Sequence, residues 1–592
     1  MKRTKFLVIL VALIVALTFT IGACSTDTGD YTVSVDTSKS CIIEVGDTID
    51  YNEYFIVKDK NGYRITVTRD MVDTDNENTA APGYFTVTLT IGKASQSLSF
   101  IVVPKDDGNT GNTGGNGNTG STGGNGGNGG TGGNGSTSTG NTNLMDKQTY
   151  NAATFDDNRL QDKLVSVGKD ITGLPSTGTY NALVIPIKFS NTTVSQTDLS
   201  NLNIAFNGTS EQTGWESVKT YYQKASYGKL NLSFDIAGYN MGSVSYYTAS
   251  NSSTYYAGLT ATDQGQTYNN GDNVLLHEVL KYYESKLDLT KYDYNKDGTL
   301  DAVYLLYSAP VDYDDGDFWW AYVTWNYDET KYDGKDAYYY MFTGIGFMEE
   351  SVKGGYTNEY YPEISGLKIN AATYIHETGH LLGLDDYYDY EENKGSDEGL
   401  GGADMMDATV GDQNVYSKTM LGWLDPKIVT STQTITIQSS QAKGDAILVP
   451  LKFDNSYFCE YLLIDLYSAQ GLNKLHASVS NSYLYDGAAY GVRIYHVSSW
   501  IKNPYKNDYQ SFTDYNNTSS DISLIKLVEA DGETKFKSSD GWAMDTDLWK
   551  TGGKLSSAFP KYTTNDGKYL IFDIKMDSVS STQATITITY NS

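Results

Sequence analysis

The chain has 592 residues, too many for one ordinary hydrophobic core, so several domains are expected. Its 72 acidic residues outnumber 43 basic ones for a net charge of −29, which argues against nucleic acid as a partner and favours solubility and cation binding. Three widely spaced cysteines, Cys24, Cys41 and Cys459, cannot supply a disulfide framework, and Cys41 and Cys459 are expected to be free or buried.

Lys2, Arg3 and Lys5 precede the apolar run FLVILVALIVAL, which is short for a membrane span and suits a signal peptide. The run ends in IGACS, Ile21 to Ser25, which resembles a bacterial lipoprotein processing site. That resemblance implies a signal peptide over 1–23, cleavage that leaves Cys24 as the lipid-bearing first residue, and an exported protein anchored by lipid at the bacterial cell surface. A short tether follows over 24–30.

Residues 31–104 read as strands, because YTVSVDTS, YRITVTRD and YFTVTLTIG alternate β-branched or aromatic residues with polar ones and SLSFIVV closes the series. PGYFTVTLTIG followed by LSFIVVP resembles the last two strands of a bacterial immunoglobulin-like domain. With no chemical motif in it, a spacer role is expected. Residues 105–143 are Gly, Asn, Thr and Ser with no apolar side chain to bury, a disordered linker spanning about 35 Å.

Order returns at 144–429, where strands and helices mix. NALVIPIKF and DAVYLLYSA are buried strands, and FWWAYVTWN alternates like a strand. WESVKTYYQKASYGKLNLSFDIAGY gives a helix ended by Gly228 and then a strand, and VLLHEVLKYYESKL gives a second helix. GLKINAATYIHETGHLLGL is the helix of chemical interest. Over 430–592 no helix is expected: TQTITIQS, DAILVPLKF, EYLLIDLYS, GVRIYHVSS, SLIKLVEAD, YLIFDIKM and QATITITY are strands, consistent with a β-sandwich.

In HETGHLLGLDD, His376 and His380 are four apart, so a helix projects both imidazoles from one face toward a shared metal ion. Glu377 stands beside the first of them, where it can take a proton from an activated water. Gly383 lets the chain leave the helix with positive φ, and Asp386 falls where the turned chain offers a third ligand. Asp385 and Asp389 lie close enough to compete for that role. The spacing HExxHxxGxx(H/D) is the metzincin arrangement in its aspartate form. Its methionine turn is supplied by Met405 and Met406 in GGADMMDATVGDQNVYSKTMLGWLDP.

With these residues in place, the chain resembles the immune inhibitor A family of bacterial secreted zinc metallopeptidases. WESVKTYYQKASYGKL, HETGHLLGLDDYYD, DMMD, YSKTMLGW, EYLLIDLY, GVRIYHV and LVEADG occur in that family's order, from roughly Thr179 to the C-terminus. The resemblance implies a multidomain chain: an all-β immunoglobulin-like domain, an α+β zincin (metzincin-like) catalytic domain and a C-terminal β-sandwich. It implies a zinc endopeptidase with His376, His380 and Asp386 as ligands, Glu377 as general base and Met406 as the methionine-turn residue. Extracellular proteins or glycoproteins are its expected substrates, and a monomer is expected. The alternative from another class is a latent or non-catalytic surface adhesin, against which the intact Glu377 and both histidines speak.

A second metal loop is DYNKDGTLDAVYLLY. Asp293, Asn295, Asp297, Thr299 and Asp301 surround the Gly298 turn and offer hard oxygen ligands for structural Ca²⁺. Tyr304 replaces the glutamate that would complete an EF-hand. His277 and His496 read as packing or surface residues, and His476 as part of a polar loop. The 50 tyrosines, spread through all folded regions, read as half-buried strand residues.

Overall fold

The computed structural model describes residues 26–103 and 144–591 apart from short internal stretches, the longest being 350–365, 389–399, 477–489, 501–516 and 533–542. The expected signal peptide over 1–23, Cys24, Cys41, Asp389 and the expected linker over 105–143 lie outside the described residues. Among the described residues no helix is long and apolar enough to cross a membrane. The chain is mixed α/β and divides into two compact units, with 26–103 in one and 144–591 in the other.

The first unit is all strands and single 3₁₀ turns. One four-stranded sheet joins Thr26–Asp27, Tyr31–Val35, Phe55–Asp59 and Arg64–Ile65; a second joins Ile42–Glu44, Ala94–Val103, Gly83–Ile91 and Val72–Asp73. Alternate residues of both sheets, Val33, Phe55 and Val57 from one and Val72, Val87, Leu89 and Phe100 from the other, share one apolar core.

The second unit is built on a six-stranded sheet. Its elements in chain order are β1 (Gly178–Lys188), α1 (Gln196–Asn207), α2 (Val218–Ala225), β2 (Leu230–Ile236), α3 (Gly271–Tyr283), β3 (Val303–Tyr307), β4 (Tyr322–Trp325), β5 (Tyr339–Gly344) and α4 (Ala372–Leu381). The spatial order is β2-β1-β3-β5-β4, with the sixth strand, Tyr247–Thr248, pairing in parallel with the end of β1; all are parallel except β4, which lies antiparallel at the edge. Helices cover both faces, which is why β1 and β3 are continuous apolar runs. Ala182, Val184, Tyr304, Leu306 and Met341 meet α1, α2 and α4 on one face. Leu183, Ile185, Val303, Leu305 and Phe342 meet α3 on the other. Serine caps start two of these helices: Ser195 and Ser217 each accept from the N–H three residues on.

After α5 (Val415–Met420) the chain makes a five-stranded and a four-stranded sheet from β6 (Gln433–Gln438), β7 (Ile447–Lys452), β8 (Glu460–Ser468), β9 (Tyr490–Ser498), β10 (Ile525–Leu527), β11 (Phe572–Val579) and β12 (Gln583–Tyr590), with the two-residue strands Lys427–Ile428 and Lys554–Leu555 at their edges. Contrary to the strand-only expectation, two single-turn helices, Ser440–Lys443 and Asn473–His476, occur here. Every residue of β8 is buried because both of its faces are covered. Leu462, Ile464 and Leu466 join Ile574, Ile586 and Ile588 of the outer sheet in one core. Tyr461, Leu463 and Tyr467 belong instead to the core containing Tyr374, Ile375 and Met406. The sequence boundary at 429/430 therefore falls inside one compact unit.

Residues 144–166 and 173–176 run as a strap along this unit. Met145 enters the outer core, Asp156 bridges to Ser456, and the Leu174 N–H donates to the Leu381 carbonyl at 2.8 Å, capping the end of α4. Gln161 Nε2 adds a bond to the Leu382 carbonyl at 3.0 Å.

Candidate metal centre

Helix α4 carries Tyr374, Ile375, Thr378 and Leu381 on the face that meets the sheet. Tyr304 Oη lies 3.3 Å from Thr378 Oγ1, and Tyr374 Oη donates to the Gly344 carbonyl at 2.9 Å, so the helix is pinned at two heights. His376 and His380 leave from the other side, ring centroids 4.9 Å apart and each side chain only about one-sixth exposed. Gly383 takes φ +95° and the chain turns back. That turn brings Asp386 Oδ1 to 3.0 Å from His376 Nε2 and 3.4 Å from His380 Nε2. Asp385 points elsewhere, its Oδ1 accepting from the Asp386 N–H at 2.9 Å.

The distal nitrogens are committed as well. His376 Nδ1 lies 2.8 Å from the Met405 carbonyl and His380 Nδ1 lies 2.9 Å from the Leu384 carbonyl. A carbonyl only accepts, so both Nδ1 atoms carry a proton, and the Nε2 atoms, which face the Asp386 carboxylate, are the ones left for a metal ion to take in place of a proton. Glu377 is buried beside them. Met406 is fully buried beneath the helix, and its carbonyl accepts from the Tyr387 N–H at 2.9 Å.

Gly379 lies between the two histidines in the helix, and a Cβ there would sit 2.4 Å from Met406 Sδ. The helix and the methionine turn thus approach closely only because residue 379 has no side chain. Gly379→Ala is expected to destabilise the protein by about 1–3 kcal/mol through overpacking and to weaken metal binding. A melting temperature equal to the parent's would show that Met406 yields freely.

Burial alone would lower both histidines, but the Asp386 carboxylate outweighs it: His376 is raised, and His380 is pushed up to about 10. Asp386 is driven up by burial and down more strongly by His380 and His376, and ends well below the usual carboxylate range. Asp407, beneath the site, is pushed up to about 7 by burial. Without metal, the His380 contribution is complete below its ordinary 6.5 and fades as pH rises through about 10. The Asp407 contribution likewise fades between 3.8 and about 7, whereas that of Asp386 is lost only in acid below 3.8. Chelated protein is therefore expected to melt several degrees higher at about pH 5.5 than at about pH 8.5. A flat or reversed profile by calorimetry would contradict the charge pairing.

Among the described residues two groups of three ligand-type side chains converge within 4.8 Å: His376, His380 and Asp386, and a group without imidazole, Glu529, Asp531 and Asp547. The 293–301 loop is not one of them. Its carboxylates turn to its own backbone: Asp297 Oδ1 accepts from the Thr299 N–H at 2.7 Å, Asp293 Oδ2 from the Gly298 N–H at 3.2 Å, and Asp301 Oδ2 from the Tyr294 N–H at 2.5 Å. Asn295 Oδ1 accepts from the Asp297 N–H at 3.1 Å. The Lys335 ammonium pairs with buried Asp293. Asp301 is pushed up to about 7 by burial and by Asp297 and Asp293.

The other histidines stand away from the triad. His277 Nδ1 lies 3.1 Å from Tyr332 Oη. His496 is buried between Glu460 and Tyr562, at 2.9 and 2.8 Å. His476 is not in an open polar loop; it is buried, Nδ1 3.3 Å from Tyr467 Oη, and burial together with Arg493 lowers it to about 3. Cys459 is a buried free thiol.

The donor set of the triad, two imidazole Nε2 atoms with fixed tautomers and one carboxylate, fits zinc and leaves a fourth position for water or substrate. No protein-family model and no curated protein matches this chain.

Proposed function

We propose that this chain is a cell-surface zinc endopeptidase of the immune inhibitor A type, with a zincin catalytic part, a C-terminal β-sandwich and an immunoglobulin-like spacer held to the membrane through a lipid on Cys24. The observation that carries the reading is the convergence of both Nε2 atoms on Asp386 Oδ1 while both Nδ1 atoms face backbone carbonyls. Hydrogen bonds of that kind to the far nitrogen of a metal-ligating histidine fix ring orientation and raise ligand basicity.

Zinc, when bound, polarises a peptide carbonyl and acidifies water. The chain's own residues do the rest. His376, His380 and Asp386 would hold the ion, and Glu377, buried and adjacent to His376, would take a proton from the attacking water and pass it to the departing amine.

Metal analysis tests the reading: one zinc per chain, lost in His380→Ala, is expected. Zinc retained in that variant at the parent's affinity would place the metal elsewhere. A structural calcium in the 293–301 loop belongs to the same proposal. Calcium added after chelation should raise the melting temperature in the parent and not in Asp301→Asn, and equal responses would remove the site.

A further inference from the structure

Arg493 on β9 stands directly opposite Asp465 on β8 and only 2 % of it is exposed. Its Nε donates to Asp465 Oδ1 at 2.9 Å and its Nη2 to Oδ2 at 2.5 Å, a two-pronged fork. The rings of Tyr467 and Tyr495 flank the guanidinium with centroids at 5.2 and 5.4 Å. A pair so far from water is weak evidence for stability, since two packed apolar side chains do as well or better. What sets this one apart is its remaining nitrogen. Arg493 Nη1 donates to the Ala403 carbonyl at 3.3 Å, two residues before Met405, whose carbonyl receives His376 Nδ1 at 2.8 Å.

The turn between those two carbonyls is tied from within. Asp404 accepts the N–H groups of Met406 at 2.7 Å and Asn414 at 2.5 Å. Asp407 Oδ2 accepts those of Leu400 and Gly402, both at 2.8 Å. From outside, the Ala543 N–H donates to the Gly401 carbonyl at 2.8 Å and the Tyr387 N–H to the Met406 carbonyl at 2.9 Å, and Arg493 ties the turn to strand β9.

We propose that Arg493, locked by Asp465, is a positioning residue for the metal centre: it fixes the 400–407 turn so that the Met405 carbonyl sets the orientation of the His376 ring. The inference rests on the zinc reading of the triad. It makes the C-terminal sheet part of the metal site, since the ring's hydrogen-bond acceptor is held from β9.

The test replaces the ion pair as a unit, Arg493→Met with Asp465→Leu in the full-length chain, so that no charge is left buried alone. The variant should melt cooperatively, bind zinc about 10–100-fold more weakly in chelator competition, and show a shifted visible band when loaded with cobalt(II). Arg493→Lys keeps the charge but cannot hold the fork and reach Ala403 together, so a smaller loss in the same direction is expected. That variant decides the matter if the double substitution does not fold.

Histidine-selective ¹⁵N labelling of metal-free protein gives a readout independent of zinc, with five residues to assign. The His376 Nδ1–H should resist exchange with water in the parent and exchange readily in the variants. A folded variant with the parent's zinc affinity, or with the His376 proton still protected, overturns the positioning role. A parent that binds no zinc sinks the zinc reading instead, and the exchange experiment then decides on Arg493 by itself.

Discussion

Glu377→Ala is expected to bind zinc at the parent's stoichiometry and to lose about 10²–10⁴-fold or more in the rate of peptide hydrolysis. The separation of the two effects follows from the geometry. Both Nε2 atoms and Asp386 are oriented by groups other than Glu377: the carbonyls of Met405 and Leu384 and the turn after Gly383. Removing the carboxylate therefore leaves the ligands in place and takes away the proton acceptor. Glu377→Gln should behave alike, since the amide keeps the shape and cannot accept the proton. Loss of zinc in either variant, or activity retained, would reassign the residue.

Lys418→Met is expected to destabilise the protein by about 3–5 kcal/mol, the largest stability effect predicted for a single side chain. All residues of α5 are buried, and Lys418 Nζ meets Asp412 Oδ2 at 2.7 Å, with side-chain exposures of 1 % and 4 %. The Tyr227 hydroxyl, at 3.3 Å, is a second contact of the ammonium. Burial already pushes Asp412 up and Lys418 pulls it back, so without the lysine a carboxylate is left in an apolar setting or must take a proton. Lys418→Met with Asp412→Leu should recover most of the loss, because the desolvated charge is then gone as well. Urea titrations of the three proteins measure this. A single-variant loss below about 1 kcal/mol would mean that the pair is reached by water.

The convergence of His376, His380 and Asp386 was legible because its information is local. Four residues of helix set the distance between His376 and His380, and a glycine that must take φ +95° sets the return of Asp386. The apolar runs of β1, β3 and β8 were legible for a related reason, since strands covered on both faces need no polar alternation. Other elements escaped. YRITVTRD alternates well but pairs only at Arg64–Ile65 before a 3₁₀ turn, whereas the strand Phe55–Asp59 is FIVKD, three apolar residues followed by two charged ones, with no alternation to mark it. Helix α1, with three asparagines among its 12 residues, has little intrinsic propensity; it forms because Leu199, Leu202 and Phe206 reach the core and Ser195 with Asp198 caps it.

What supports the site from a distance could not be read at all. The acceptors for His376 and His380 are backbone carbonyls, which no side-chain pattern marks. Arg493 lies 90 residues from the carbonyl it holds. In the sequence it is one charged residue inside GVRIYHV, and its only signal is a charge in an otherwise apolar buried strand. The acids of DMMD gave a similar hint, since Asp404 and Asp407 are buried beside Met405 and Met406 rather than solvated.

The proposed role of the triad, a zinc centre that cuts peptide bonds, is tested by digestion of unfolded casein with the full-length chain before chelation, after it, and after zinc is returned. Cleavage that stops on chelation and resumes with one equivalent of zinc is the predicted result. Cleavage that continues in the chelated protein, or a zinc-loaded protein that leaves casein intact, would contradict it.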